Sequence, residues 1–590
     1  MKFIEKYYKY IVALLLIVML TLEITSSLQE SQTIDEGVHL SAGYSYLVKN
    51  DYRMNTEHPP LVKELSALPL LFFRDTIDSA FDKEAWNNYD QWRFAKDLIY
   101  FNGHRIADQL FFLGRLPIML LSLLLGFYVF KWSKELFGIK IGLIVLLLYT
   151  FAPNIIAHSR YVTTDIALTT FFFITIYYFD KYLKSEKYKY FIYMSVFFGL
   201  AQASKFSAVV LISIVIVLGI ASIVIKMNKY QLKKLIKIFF TNIFILCFIT
   251  FFIIFASYRF EIKKPIEDVN VQNLYNKQEE ILASPNLLDK LNPANKKINK
   301  ITDPSTPFGN KIKYLAENLD IPAFSYLNGL TKLLEHNYYG HTAYLLGKHS
   351  NFGWWYYFPI AFFVKTPTTI LIFIIILLIF GLKKSFYLIK NINHKPFKYH
   401  PILFLVFPTL FYFAFSLTSN INLGLRHILP IYPFIFVISG YLFILIKDKF
   451  SKFALYLLII FYLLSSILIF PHYLAYFNEI SGGPNNGTKY LTDSNIDWGQ
   501  DVKKLKKYMD NNNIGHICSS YFGQAEFKYY GIDFRYLPNN NNFSSLEEIN
   551  CVVAISATSL YSEQGEFSWL EQYDPDYKIG YSIFIYDFRN

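Results

Sequence analysis

About eleven apolar segments, each close to the length a helix needs to cross a bilayer, fill most of this chain and leave it few folds to adopt. They run over about residues 10–28, 111–130, 140–157, 163–180, 189–203, 206–225, 237–257, 356–381, 400–417, 427–446 and 453–471. Backbone in lipid must satisfy its own hydrogen bonds, so the segments predict a mainly α, polytopic transmembrane helical protein. Composition agrees: 53% of residues are hydrophobic and 17% charged, against about 25% charged in soluble domains.

The net charge of +12 raises nucleic acid as a partner, but the lysines cluster between apolar runs, not along one face. They obey the positive-inside rule instead. Starting from Lys2, Lys6 and Lys9 inside, alternate loops carry Lys131, Lys134 and Lys140, then Lys181–Lys189, then Lys226–Lys237. Lys383–Lys398 and Lys447–Lys452 complete the series, and the loops of opposite parity hold little more than Arg160, Lys205 and Arg426. The first segment has the charge pattern of a signal peptide. Its interior Glu23 and the later spans favour an uncleaved anchor, and either reading puts Asp35 outside.

The chain divides into a transmembrane domain over residues 1–471, with outer loops 29–110 and 258–355, and a small extracytoplasmic α/β domain over 472–590. Within the first loop, Ala42–Leu47 reads as an amphipathic stretch suited to the membrane interface. In the last domain a helical pattern near 498–511 precedes strands expected at Ile514–Tyr521, Cys551–Ile555 and Tyr581–Tyr586, with turn signals at Gly482–Pro484 and Asn539–Asn542. Cys518 and Cys551 are candidates to pair; sequence alone leaves the pairing open.

Chemistry concentrates on the outer side. Asp35-Glu36 lies directly after the first segment: one carboxylate could take the proton of an attacking hydroxyl, the other could orient it or bind the acceptor. Glu57-His58 precedes the extended Pro59-Pro60 pair, which fixes both side chains. Asp165, Lys205, Arg259, Lys365, Arg426 and His427 fall at or within span ends, where ionisable groups are costly and are functional candidates. Cations converging beside carboxylates are what a membrane-embedded phosphate needs. His158, Asp165 and His427 are metal-binding residue types without tight ligand spacing, so no metal is assigned. No phosphate loop or dinucleotide fingerprint occurs, and no cofactor is assigned.

With these residues the chain resembles multispanning glycosyltransferases of the GT-C class. It is most similar to the phospholipid-carrier-dependent family of protein O-mannosyltransferases and aminoarabinose transferases. The matching pieces are Asp35-Glu36, Glu57–Leu61, Arg160 with Asp165, Gly199–Lys205, Arg259, Lys365–Pro367, Arg426–Pro433 and Asp493–Asp501. The resemblance implies a polyprenyl-phosphate sugar donor and an inverting transfer to a hydroxyl on an extracytoplasmic glycan, lipid or protein. It also implies a multi-pass protein of a bacterial-type inner membrane with an extracytoplasmic site. Asp35 would be the general base with Glu36 beside it. His58, Lys205 and Arg259 would hold the carrier phosphate, His58 where relatives often place a lysine. Glu57, Arg160, Asp165, Lys365, Arg426 and His427 would line the site. The runner-up is a transporter or flippase for a lipid-linked sugar. A transporter should show repeated halves and charges spread through the bilayer depth, and neither is evident.

Overall fold

The computed structural model describes residues 2–227, 230–268, 271–272, 275–276, 303, 305–390, 402–540 and 549–589. Lys229, Lys395, Lys398, the polar middle of the second outer loop and Asn541–Asn542 lie outside them. The protein is a helical membrane bundle with a small sheet domain at its C-terminal end.

Every apolar segment read from the sequence folds into helix. Among the described residues six helices are long and apolar enough to span alone: Ile4–Ser27, Ala107–Phe137, Phe206–Val224, Leu232–Ser257, Leu425–Leu445 and Lys449–Leu468. Two expected spans are broken at proline. Ile139–Thr150 and Pro153–Ser159 meet at 60°, and Tyr357–Lys365 and Thr368–Gly381 at 114°. The residues before these prolines, Ala152 and Thr366, are extended, as steric conflict with the proline ring demands. Counting each bent pair as one span gives eight. The other three segments form Asp165–Ser185, Tyr188–Gln202 and Leu403–Ser416; the first is buried over most of its length and the last two are short.

The first outer loop is a packed helical layer with its own core of Leu40, Tyr44, Tyr46, Phe94 and Leu98. Ala42, Tyr44 and Tyr46 are therefore not interfacial: they are at most 2% exposed. The helix Glu36–Lys49 presses on Leu61–Ala67 so closely that a Cβ at Gly43 would lie 2.1 Å from the Lys63 carbonyl oxygen.

The C-terminal domain is a five-stranded sheet in the order Asp533–Tyr536, His516–Ser520, Val552–Ser556, Ile583–Asp587, Tyr577–Ile579. The first two pairings are parallel and the last two antiparallel. Ile517, Val552, Ala554, Ile583 and Ile585 pack against the helix Val502–Asn511 through Val502, Leu505 and Met509. Cys518 and Cys551 form a disulfide on the opposite face. The three expected strands are present; the edge strands Asp533–Tyr536 and Tyr577–Ile579 had no readable alternation.

Between the last span and this sheet, residues 473–501 run as short 3-10 turns over the bundle. They are tied down by residues distant in the sequence. Ser31 N–H donates to the Gln500 carbonyl and Ile34 N–H to the Trp498 carbonyl, both at 2.9 Å. The Lys365 ammonium donates to the carbonyls of Leu474 (2.7 Å) and Asn495.

Candidate active site

Breaks in the helices deliver the charged residues to one place. Asp35 ends the turn before Glu36–Lys49, and Asp165 is the first residue of its helix, where the helix dipole favours a carboxylate. Lys205 sits extended in the gap between Tyr188–Gln202 and Phe206–Ala208. Arg426 stands on the 3-10 turn Leu425–Ile431. That turn is hooked to the C-terminal segment: Leu425 N–H donates to Asn495 Oδ1 (3.0 Å), and Ser494 Oγ donates to the Leu423 carbonyl (2.7 Å). A Cβ on the intervening Gly424 would lie 2.5 Å from Ser494 Oγ, so only glycine permits the approach.

The charges alternate in a row. Lys205 Nζ donates to Asp165 Oδ1 at 2.5 Å. Arg426 Nη1 lies 3.7 Å from Asp165 Oδ2 and 3.3 Å from Asp35 Oδ2. The Asp35 side chain keeps 27% of its surface exposed, whereas that of Asp165 keeps 1%. The Arg426 guanidinium stacks on Trp498, 4.5 Å from the ring centroid, and Trp498 also meets the rings of His158 and Tyr161 edge-on. Asp493 faces Arg426 and Asp35 from the C-terminal side, and its carboxyl is pushed up to about 6, chiefly by burial.

Buried polar atoms without partners gather here. Among the described residues, Asp165 Oδ2, Arg426 Nε, His58 Nδ1, His158 Nδ1 and His427 Nε2 make no hydrogen bond. An orphaned buried group costs about 1–3 kcal/mol, so these five on neighbouring residues make the charge row the candidate site. His58 is held neutral, its pKa pulled well down by burial and then by Lys205, His39 and Lys63. It can donate or accept one hydrogen bond, but it is not the cation that a lysine at this place would be.

Other sequence candidates fall elsewhere. Glu36 is fully buried and its carboxylate is saturated. Arg115 Nε and the Val162 N–H donate to Oε1 at 2.8 and 2.9 Å, and Arg115 Nη2 and the Thr33 N–H to Oε2 at 2.7 and 2.8 Å. Arg259 Nη1 donates to the Leu47 carbonyl (2.9 Å) and its Nε lies 3.7 Å from Glu64, so it braces the first outer loop. Arg160 pairs with buried Glu30. The Lys365 ammonium is consumed by carbonyls, as above. Glu57 is exposed and accepts from Asn55 Nδ2 at 3.0 Å. Among the described residues no group of three or more His, Cys, Asp or Glu is arranged to hold a metal.

Trp498 and Asp493 stood in the sequence only as part of the Asp493–Asp501 resemblance, without a role in the site, and Lys63 was not singled out. Lys63, buried beneath the Pro59-Pro60 turn, donates to the carbonyls of Asn55 (2.5 Å) and His58 (2.8 Å), and its pKa is drawn down by burial to about 7. It sets the turn that aims His58.

Residues 99–255 match the family model for dolichyl-phosphate-mannose-protein mannosyltransferases. The matched stretch holds Asp165 and Lys205; Asp35, Arg426 and Asp493 lie outside it. No curated protein sequence matches the chain. Among solved structures it is similar to the S. cerevisiae protein O-mannosyltransferase Pmt1–Pmt2 complex bound to the sugar donor, at 18% identity and a TM-score of 0.31. That match covers 42% of this chain and 33% of the yeast one. It is also similar to ArnT from Cupriavidus metallidurans bound to undecaprenyl phosphate, at 9% identity and a TM-score of 0.41 over 97% of both chains.

Proposed function

We propose that this protein is an integral membrane glycosyltransferase that moves a sugar from a polyprenyl-phosphate donor to a hydroxyl of an extracytoplasmic acceptor, with inversion. The observation that carries the reading is the row Asp35–Arg426–Asp165–Lys205, set among orphaned buried groups. The family match over residues 99–255 supports it.

The donor phosphate is held by Lys205 and Arg426, with His58 giving one neutral hydrogen bond. Arg426 takes the place first expected of Arg259. Asp35 is the base. The acceptor oxygen attacks the anomeric carbon from the face opposite the phosphate, forming the new glycosidic bond. The anomeric carbon–oxygen bond to phosphate breaks, its electron pair leaves with the polyprenyl phosphate, and the hydroxyl proton passes to Asp35. Phosphate arriving at Arg426 competes for the guanidinium that Asp35 otherwise faces at 3.3 Å, which leaves the Asp35 carboxylate free to take the acceptor's hydrogen bond. Glu36 holds the backbone that presents Asp35 and takes no part in proton transfer.

The test is purified full-length protein in sealed proteoliposomes with a polyprenyl-phosphate hexose and an envelope extract as acceptor. Stoichiometric release of polyprenyl phosphate with sugar transfer is expected. Sugar crossing the bilayer still attached to its carrier, without release, would instead establish the transporter.

A further inference from the structure

The opening segment of the C-terminal domain touches the site at two points, Trp498 against the Arg426 guanidinium and Asn495 on the Leu425 N–H, and it brings Asp493 within electrostatic reach of Arg426 and Asp35. Asp493 is held in a conformation that few residues adopt, with φ +55°. Its N–H donates to Thr558 Oγ1 (3.1 Å) from the sheet domain, and its carboxylate accepts from the Ser494 N–H. The neighbouring Asp497 is fixed on the same residue, its Oδ2 accepting from the Thr558 N–H at 2.8 Å. Strain held by so many restraints needs a use.

Asp493 and Asp35 are both only partly buried, whereas the phosphate-side groups Asp165 and Lys205 are nearly closed off, 2% and 5% exposed. The row therefore has a closed end at Asp165 and Lys205 and a less buried end, where Asp35 and Asp493 lie. Arg426 Nε, on a residue 8% exposed, is left without a partner between them. The exposed His341 faces Asp35 and Arg426 electrostatically from the second outer loop. Carboxylates at the less buried end suit a hydroxyl donor.

We infer that Asp493 is the acceptor-holding carboxylate of the active site: it accepts a hydrogen bond from a hydroxyl of a neutral, polyhydroxylated acceptor while Asp35 removes the reacting proton. The C-terminal domain is then a part of the catalytic centre that selects the acceptor. This assignment rests on the glycosyl-transfer reading above.

Asp493→Asn keeps the shape, tolerates the positive φ and retains an oxygen for the Ser494 N–H, so the fold survives; Asp493→Glu serves as a second variant. In nanodiscs with a polyprenyl-phosphate hexose, polyprenyl phosphate release is followed with water alone, with octyl glucoside, and with its anionic counterpart octyl glucuronide. Losing a hydrogen bond to a charged group weakens binding about ten- to a hundredfold. Asp493→Asn should raise the KM for octyl glucoside by that factor and narrow the discrimination against the glucuronide. Hydrolysis by water and the donor KM should change by a much smaller factor than the octyl glucoside KM. An unchanged octyl glucoside KM in both variants overturns the assignment, as does a rise in donor KM with an equal fall in hydrolysis, which would make Asp493 a support for Arg426. Native protein that releases no polyprenyl phosphate with any of the three defeats the proposed function, and this assignment with it.

Discussion

Asp35 and Asp165 share one nitrogen: Nη1 of Arg426 lies 3.3 Å from the first carboxylate and 3.7 Å from the second. The two acids are otherwise unlike. Asp165 is also bound by Lys205, and Asp35 is open to solvent on its far side. One arginine thus divides a committed carboxylate from an available one, and a phosphate competing for that arginine alters only the second.

Asp35→Asn keeps the size of the side chain and removes its basicity. Transfer should fall by about 10²–10⁴-fold, the span of general base catalysis, with yield and thermal stability preserved. The measurement is polyprenyl phosphate release at saturating donor. Rates within a few-fold of native protein would remove Asp35 from the chemistry.

Arg426→Lys and Arg259→Ala separate the two candidate phosphate cations. A lysine cannot reproduce a guanidinium that faces two carboxylates and stacks on Trp498. The first substitution should therefore raise the donor KM at least about tenfold, a loss of about 1.4 kcal/mol. Arg259→Ala should leave donor KM within about twofold, because its partners are Leu47 and Glu64. Titration with a polyprenyl-phosphate hexose reads both.

Glu36→Gln tests structure, not chemistry. It leaves Arg115 as a buried charge without its counter-ion, which costs about 3–5 kcal/mol. The expected result is a lowered melting temperature and poor recovery from detergent, with near-native turnover in the fraction that folds. Arg115→Met combined with Glu36→Gln should regain part of the loss.

Asp497 gives a signed dependence on pH. Its folded-state pKa is raised to about 7, first by burial, against about 3.9 for an unperturbed aspartate. Its contribution is most favourable below about 4 and is lost as pH rises through about 7. Asp497→Asn should therefore gain stability relative to native protein on going from pH 5 to pH 8. Melting curves of both proteins at the two values check the sign, and parallel shifts would contradict it.

The same reasoning applies to Asp493, which faces Arg426, Asp35 and Tyr357. Its pKa of about 6 means that it is ionised at neutral pH and protonated below. The KM for octyl glucoside should rise as pH falls through about 6. That rise should be absent in Asp493→Asn.

Much of the fold was open to reading because lipid enforces simple rules. Every apolar segment became helix, and lysines between them gave a consistent sidedness. The proline breaks at Pro153 and Pro367 were not read as bends, because apolar residues continue on both sides of each. Within the site, Asp165, Lys205 and Arg426 could be singled out because a charge in apolar sequence needs a reason, and Asp35 because it is one of an acidic pair just outside the first span. What remained hidden was pairing. Glu36 and Asp35 are chemically alike neighbours in sequence, yet one is saturated by Arg115 and the other is not. Trp498 and Asp493 lay in a polar stretch of the soluble domain, where nothing in the local pattern says that a membrane helix will receive them.

The short backbone pairing of Ser31 and Ile34 with Gln500 and Trp498 joins the beginning of the chain to its last domain. A ribosome completes every span before it reaches those partners. Throughout biosynthesis, Asp35 waits on a loop whose anchor has not been synthesised, and the arginine-stacking tryptophan is missing as well. The surroundings of Asp35 are therefore completed by residues made last, and the two ends of the row come together only in the full-length polypeptide.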